Sequence, residues 1–370
     1  MLNIVTSPLR QIYYRIFWGT PFKKCFYLDF LRLFFWLYPR FSFIYLKNCL
    51  KGNEDRKNKG RRSKKYICVQ LDPSEGVGLQ LFSWIAAKEI SRRHGLTFVH
   101  RGFAYDPHSP ECNWDNFFGF GEGEIQYGEI TKEPNLQMIE LPRLNFYYLK
   151  RAQKILLDFI VHKAYPNYEK VMFMMGYNTV LSNPSVYQLL SERYFRRREI
   201  SPIQSPFRER AVKIVLHIRR GDILWIKEHG RLREILGVDY YQRVLNKVQT
   251  ILKDYDLDVH LYTNVRQDKA LSDYANQEGI MLHFADESAD SGYQAFHAMA
   301  TADILVVGRS TFSYHAGMIS RGIKIMSPDT FSELLPPKNK LWMESDSQTK
   351  EFDADLFGRV FREYWDKSAH

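Results

Sequence analysis

The run Val215-Leu-His217-Ile-Arg219-Arg220-Gly221-Asp222 sets an imidazole, two guanidiniums, a glycine and a carboxylate at the end of an apolar, β-prone stretch. Charge of that density is not buried without a partner. At the carboxyl end of a parallel strand the natural partner is an anionic ligand, and arginine is the side chain suited to a bidentate grip on phosphate oxygens. Gly221 lets the chain turn sharply beside such a ligand, while Asp222 can orient an arginine or accept a proton. An Arg-Gly-Asp adhesion tripeptide would need an exposed loop tip, whereas an apolar strand leads straight into this one. A structural Arg–Asp ion pair is the other plain alternative.

Two further runs carry compatible chemistry. Ala302-Asp-Ile-Leu-Val-Val-Gly-Arg-Ser310-Thr311-Phe312-Ser313 again drives an apolar strand into small hydroxyl residues at a helix start, where free amides and hydroxyls make an anion seat. Ser and Thr are also ordinary N-caps, so the run gains meaning from its pairing with the Arg-Arg strand. Gly76-Val-Gly78-Leu-Gln80 precedes a helical pattern and can admit a diphosphate or a sugar close to the backbone. No third glycine follows at dinucleotide spacing and no acid ends the next strand, so a nicotinamide site is not expected. Asp254-Tyr-Asp256-Leu-Asp258 has the composition of a metal-holding acid pair, but it precedes a strand over 259–263 and reads as solvated loop acid. Asp353-Ala-Asp355 reads as negative charge at the favourable end of a helix. Asp222 and Glu228 are the candidate general bases, with His229 a third.

The elements that must position these residues follow from periodicity. From Lys213 onward, strands over 214–218, 259–263, 280–284, 304–307 and 323–326 alternate with helices over 240–252, 267–277, 293–302 and 312–319. Strict β-α alternation with near-continuous apolar strands implies a parallel sheet covered on both faces. Upstream, a strand over 66–71, a helix over 79–93 and a strand over 96–100 open a second β-α-β unit. Helical stretches near 146–162 and 186–198 stand in a region that is otherwise poorly patterned. The prolines of Ser201-Pro-Ile-Gln-Ser-Pro206 mark a connection. The expected organisation is a basic aromatic arm and linker over 1–65, an N-terminal Rossmann-like acceptor domain over 66–205, a C-terminal Rossmann-like donor domain over 206–350 and a closing helix over 351–370.

Fifteen Lys and Arg against three acids give residues 1–65 a charge of +12, more than the whole chain's +10, so the remaining body carries −2. That body has no positive excess to track a nucleic-acid backbone, and nucleic acid is not an expected partner. The arm interleaves its cations with aromatic residues, which suits a membrane headgroup boundary, yet Asp29, Arg32, Pro39 and Arg40 interrupt its best apolar window and argue against a full span. The alternative is that these aromatics pack on the body and the basic run over 51–65 is a solvated linker. Cys25, Cys49, Cys68 and Cys112 form no metal-type pair, and no permitted N-glycosylation acceptor occurs. The expected location is the cytoplasmic face of a membrane, with lumenal type II anchoring as the alternative.

Together, His217-Ile-Arg-Arg-Gly-Asp222, Ser310-Thr-Phe-Ser313 and Gly76-Val-Gly78-Leu-Gln80-Leu81 resemble, in order and spacing, the motifs of the GDP-fucose-dependent fucosyltransferase superfamily, the α1,2, α1,6 and protein O-fucosyltransferase group. The resemblance spans roughly residues 66–330 and implies the GT-B fold, two facing Rossmann-like α/β domains. It implies an inverting, metal-independent transfer of fucose from GDP-fucose to a glycan or glycolipid hydroxyl, with no cofactor. By position it assigns Arg220 to the β-phosphate and the departing GDP, Arg219 to donor binding, and His217 to the guanine or ribose. Ser310, Thr311 and Phe312 would line the diphosphate and nucleoside, Gly76, Gly78 and Gln80 would approach from the other domain, and His297 would stand near the base. Two positions depart from the pattern: Leu79 replaces the usual Asn, and the guanine-contacting acid falls at Ala295, beside Gln294. Another nucleotide sugar on the same scaffold, or a non-catalytic carbohydrate-binding or scaffolding protein with a degenerate donor site, are the alternatives.

Overall fold

A computed structural model describes residues 63–141, 168–176, 184–220, 236–265, 277–285, 287–327, 339–346 and 351–367, with single positions between them. The chain divides into two compact units, residues 1–63 with 149–169 and residues 64–148 with 170–370. The second unit holds both sheets.

The first sheet starts with β1 (Lys64–Val69), whose Ile67, Cys68 and Val69 are buried. It feeds α1 (Val77–His94), and the chain returns as β2 (Thr97–His100), paired parallel to β1 with Tyr66 opposite Thr97. A short α2 (Trp114–Phe118), β3 (Ile125–Gln126), α3 (Tyr127–Ile130) and β4 (Leu136–Glu140) follow. The methionine-rich β5 (Lys170–Met175) then inserts between β1 and β4, and α4 (Pro184–Ile200) closes this half. The order is β3-β2-β1-β5-β4, and every described pairing is parallel.

The second sheet is built on β6 (Val212–Ile218), buried along almost its whole length. It continues through α5 (Val238–Ile251), β7 (Leu257–Thr263), β8 (Ile280–Phe284), α6 (Ser291–Thr301), β9 (Ile304–Val306), α7 (Thr311–Ile319), β10 (Ile323–Met326), β11 (Trp342–Glu344) and α8 (Ala354–Lys367). The strand order is β11-β10-β9-β6-β7-β8. Counted from β6, that is the 3-2-1-4-5-6 order of doubly wound nucleotide-binding sheets. On one face α5 (Tyr240, Tyr241, Val244, Leu245, Val248) and α8 (Phe357, Val360, Phe361) cover Ile214, Leu216 and Ile218. Each such side chain contributes roughly 1.5–3 kcal/mol by leaving water.

The expected α/β class with two Rossmann-like sheets is what the chain adopts. Among the described residues, the weakly patterned stretch between 102 and 199 contains three strands, β3, β4 and β5, that periodicity did not single out. β4 is an edge strand whose Gln137, Met138 and Glu140 are exposed, so it lacks the apolar run of a central strand. The helix expected over 186–198 is α4, and the closing helix is α8, where the Asp353 carboxylate accepts the Leu356 amide at 2.8 Å. The stretches over 146–162 and 267–277 lie outside the described residues except at single positions, as does the arm over 1–62. One reading is corrected. Asp258 is not solvated loop acid: β7 begins at Leu257, and Asp258 is 3% exposed, accepting the Arg208 amide at 2.6 Å and its Nε at 3.3 Å. Among the described residues no helix is long and apolar enough to cross a membrane.

Candidate functional site

After β6 the chain builds β7 and β8 on one side, then crosses to place β9 on the other, so the order reverses between β6 and β9. Crossover connections leave opposite faces at that point and open a crevice beyond the carboxyl ends of the two strands. A cavity of about 540 Å³ lies there. His217 and Arg219 at the end of β6 and Arg309, Ser310, Thr311 and Phe312 after β9 line it. So do the ends of β7 and β8, and Gly76, Val77, Gly78 and Leu79 of the first half.

Ser310 is the N-cap of α7, with extended backbone and a hydroxyl that accepts the Phe312 amide at 3.2 Å. The nine-residue helix therefore presents its positive dipole end to the cavity. Gly308 lets β9 close on β6: a Cβ there would run into the His217 carbonyl. Gly78 plays the same part across the cleft, since a Cβ would meet the Thr311 hydroxyl and stand 2.8 Å from the Phe312 amide nitrogen. The starts of α1 and α7 are thus in direct contact.

His217 is 8% exposed, and burial, reinforced by the Arg219 charge, pushes its imidazole down to about 3, so it is neutral at physiological pH. Its Nδ1 and the Thr263 hydroxyl are buried polar atoms without a hydrogen-bond partner in the protein. Their residues sit at the paired ends of β6 and β7, where Ile218 lies opposite Thr263. Both residues line the cavity, and orphaned polar atoms on lining residues are what a site awaiting a polar ligand or ordered water leaves behind.

The two arginines of the motif separate. Arg219 lines the cavity, with Nη2 3.4 Å from the His108 Nε2 of the opposite half. Arg220 is fixed through its backbone amide, which donates to Asn264 Oδ1 at 2.9 Å, and its side chain is not part of the lining. Gly76, Gly78, Ser310, Thr311 and Phe312 all line the cavity. Gln80 does not. It is fully buried, and its amide donates to the Glu75 and Ala104 carbonyls and accepts the Ala104 amide, which makes it a brace for the loop after β2. His297 also turns away from the lining: its Nδ1 is 2.7 Å from the Tyr194 hydroxyl, and burial lowers its pKa to about 4. Asp222, Glu228 and His229 lie outside the described residues.

Sequence reasoning missed Arg309, although it stands where the Arg-Arg pair stands, directly after a buried strand and a turn. It also missed His108 and Asp106, which come from a loop without periodic signal. The Asp106 carboxylate is committed to that loop, accepting Trp114 Nε1 at 3.1 Å and the His108 amide at 3.0 Å.

No protein-family model matches the sequence, and no curated protein matches it. Among solved structures, fucosyltransferase NodZ from Bradyrhizobium is similar over 70% of this chain and 94% of its own, at 14% identity and a TM-score of 0.44. POFUT1 in complex with GDP-fucose is similar over 72% and 99%, at 14% identity and 0.41. A variant of Arabidopsis thaliana FUT1 in complex with GDP is similar over 83% and 80%, at 11% identity and 0.38. Scores this low decide neither donor nor acceptor, and the site stands on its own geometry.

Proposed function

We propose that this cavity holds the donor of a glycosyl transfer and that the chain moves fucose from GDP-fucose to a glycan or glycolipid hydroxyl with inversion. The observation that carries the reading is the convergence at one strand switch point of two cavity-lining guanidiniums, Arg219 and Arg309, with the amide end of α7. Guanidiniums and helix amides match a diphosphate in charge and geometry. In the transfer, the acceptor oxygen attacks the sugar C1, the bond from C1 to the β-phosphate oxygen breaks, and its electron pair stays on the phosphate. Fixed positive groups aimed at that oxygen act where charge develops, which lets the protein serve the departing diphosphate without a metal. Neutral His217 offers one donor and one acceptor to the nucleoside. Asp222 and Glu228 are the proposed takers of the acceptor proton. The basic aromatic segment over 1–65 is assigned peripheral contact with the cytoplasmic face of a membrane, which would place the enzyme where lipid-linked glycans are built.

The test is titration calorimetry of the full chain in EDTA with GDP, UDP and ADP, beside Arg219→Ala. GDP binds selectively, and Arg219→Ala weakens it by about tenfold or more, the loss of one charge-assisted contact. Tighter UDP or ADP binding replaces the donor with another nucleotide sugar. Absence of binding at millimolar nucleotide removes the donor site and leaves the carbohydrate-binding scaffold.

A further inference from the structure

The far end of the cavity from Arg219 and Arg309 is formed by the edge of the second sheet. Register carries one line across three strands, Ile218 opposite Thr263 and Thr263 opposite Phe284. With neighbouring strands about 4.8 Å apart, the end of β8 lies roughly 10 Å from the end of β6. That separation matches the reach of a nucleoside from its diphosphate. The chain then folds back over the strand end: the Ala285 amide donates to the Thr263 carbonyl at 3.1 Å and the Glu287 amide to the Phe284 carbonyl at 3.3 Å. This turn brings Glu287 into the cavity lining. Beside it the rings of Tyr262 and His283, both lining residues, stack at 4.5 Å and 12° and give the wall an aromatic surface of the kind a planar base packs on.

We propose that Glu287 reads the edge of the nucleobase and selects guanine. The inference rests on the nucleotide-sugar reading above and deepens it. A carboxylate offers two parallel acceptors. Guanine presents N1–H and the 2-amino group side by side and satisfies both. Adenine turns its N1 lone pair toward the charge, and uracil sets a single N–H between two carbonyls. On α6 the lining residues are Ser291, Gly292, Gln294 and Ala295, none of them charged. Asp106, the other carboxylate among the described lining residues, is occupied by Trp114 and the His108 amide. The Glu287 carboxylate is 39% exposed, and the His283 Nδ1 stands 3.9 Å from its Oε2, too far for a hydrogen bond.

The test compares GDP with IDP, which lacks only the 2-amino group, by calorimetry on the full chain. The native protein binds GDP at least about tenfold more tightly than IDP, as expected when a charged acceptor loses its donor. Glu287→Ala brings the two affinities together while IDP binding is retained, and that retention shows an intact site. Glu287→Gln, which keeps the shape but offers one acceptor, also lowers the ratio and serves if the alanine variant does not fold. A native GDP to IDP ratio in both variants overturns the assignment to Glu287. Equal GDP and IDP binding by the native protein overturns it too, while loss of both nucleotides in Arg219→Ala would still uphold the diphosphate seat. If the native protein binds neither, the donor reading and the Glu287 assignment fall together.

Discussion

Lys324 shows how far one residue can depart from its ordinary chemistry in this fold. It sits on β10 with 2% exposure, and its ammonium donates to the Gly322 carbonyl at 2.7 Å and the Ser320 carbonyl at 3.2 Å, just past the end of α7. Burial lowers its pKa from 10.5 to about 7. Because the folded value lies below the unfolded one, the unfolded chain binds more protons between pH 7 and 10.5, and this group makes stability rise with pH there. The slope approaches roughly 1.4 kcal/mol per pH unit inside that window and vanishes below it. Lys324→Met removes the contribution, so urea unfolding of the variant at pH 7, 8 and 9 shows a shallower rise than the native protein.

At the level of elements, the site depends on two helix starts meeting with no side chain on the Gly78 side of the contact. The Gly78 position faces Thr311 and the Phe312 amide, and behind this contact the Phe82 ring of α1 meets His315 of α7 at 4.2 Å, edge to face. His315 in turn lies 3.0 Å from the Tyr187 hydroxyl of α4. Backbone held in this way cannot yield to a methyl group. Gly78→Ala therefore costs about 1–3 kcal/mol, the usual range for overpacking, and, on the proposed donor reading, weakens GDP binding by moving α1 from the cavity. Thermal unfolding and calorimetry on the same sample check both effects.

At the scale of the molecule, the two sheets of the second unit are joined by an aromatic cluster rather than by a thin hinge. Trp114 of α2 is 2% exposed and contacts Tyr293 and Phe296 of α6 and Phe312 of α7, at centroid distances of 5.2, 6.2 and 5.9 Å. Phe117 stacks on Tyr293 at 4.9 Å and 4°. The indole also anchors Asp106, so one side chain ties the loop after β2 to both halves. Trp114→Ala removes about 3–5 kcal/mol. It should also split a single calorimetric unfolding transition into two, as each half loses its partner. Retention of one transition would show that contacts among α1, α4 and α7 suffice to couple them.

Five of the six strands of the second sheet are legible in the sequence, because buried parallel strands are continuous apolar runs, whereas the three-residue β11 is too short to give such a run. The sequence by itself also determined that His217, Arg219 and the Ser310 helix start converge, since both segments end strands of one sheet. Which arginine lines the cavity is set by the fold and not by residue type: Arg219 and Arg220 are chemically alike, yet Arg219 lines the cavity beside His108 while the Arg220 amide is bonded to Asn264. Tertiary structure decided that Gln80 and His297 are braces, since their partners, the carbonyls of Glu75 and Ala104 and the Tyr194 hydroxyl, lie up to 103 residues away. It also brought in Asp106, His108 and Glu287 from loops that carry no periodic signal. Periodicity records which face a regular element buries, whereas a loop residue's neighbours are set by contacts distant in sequence, which leave no local pattern to read.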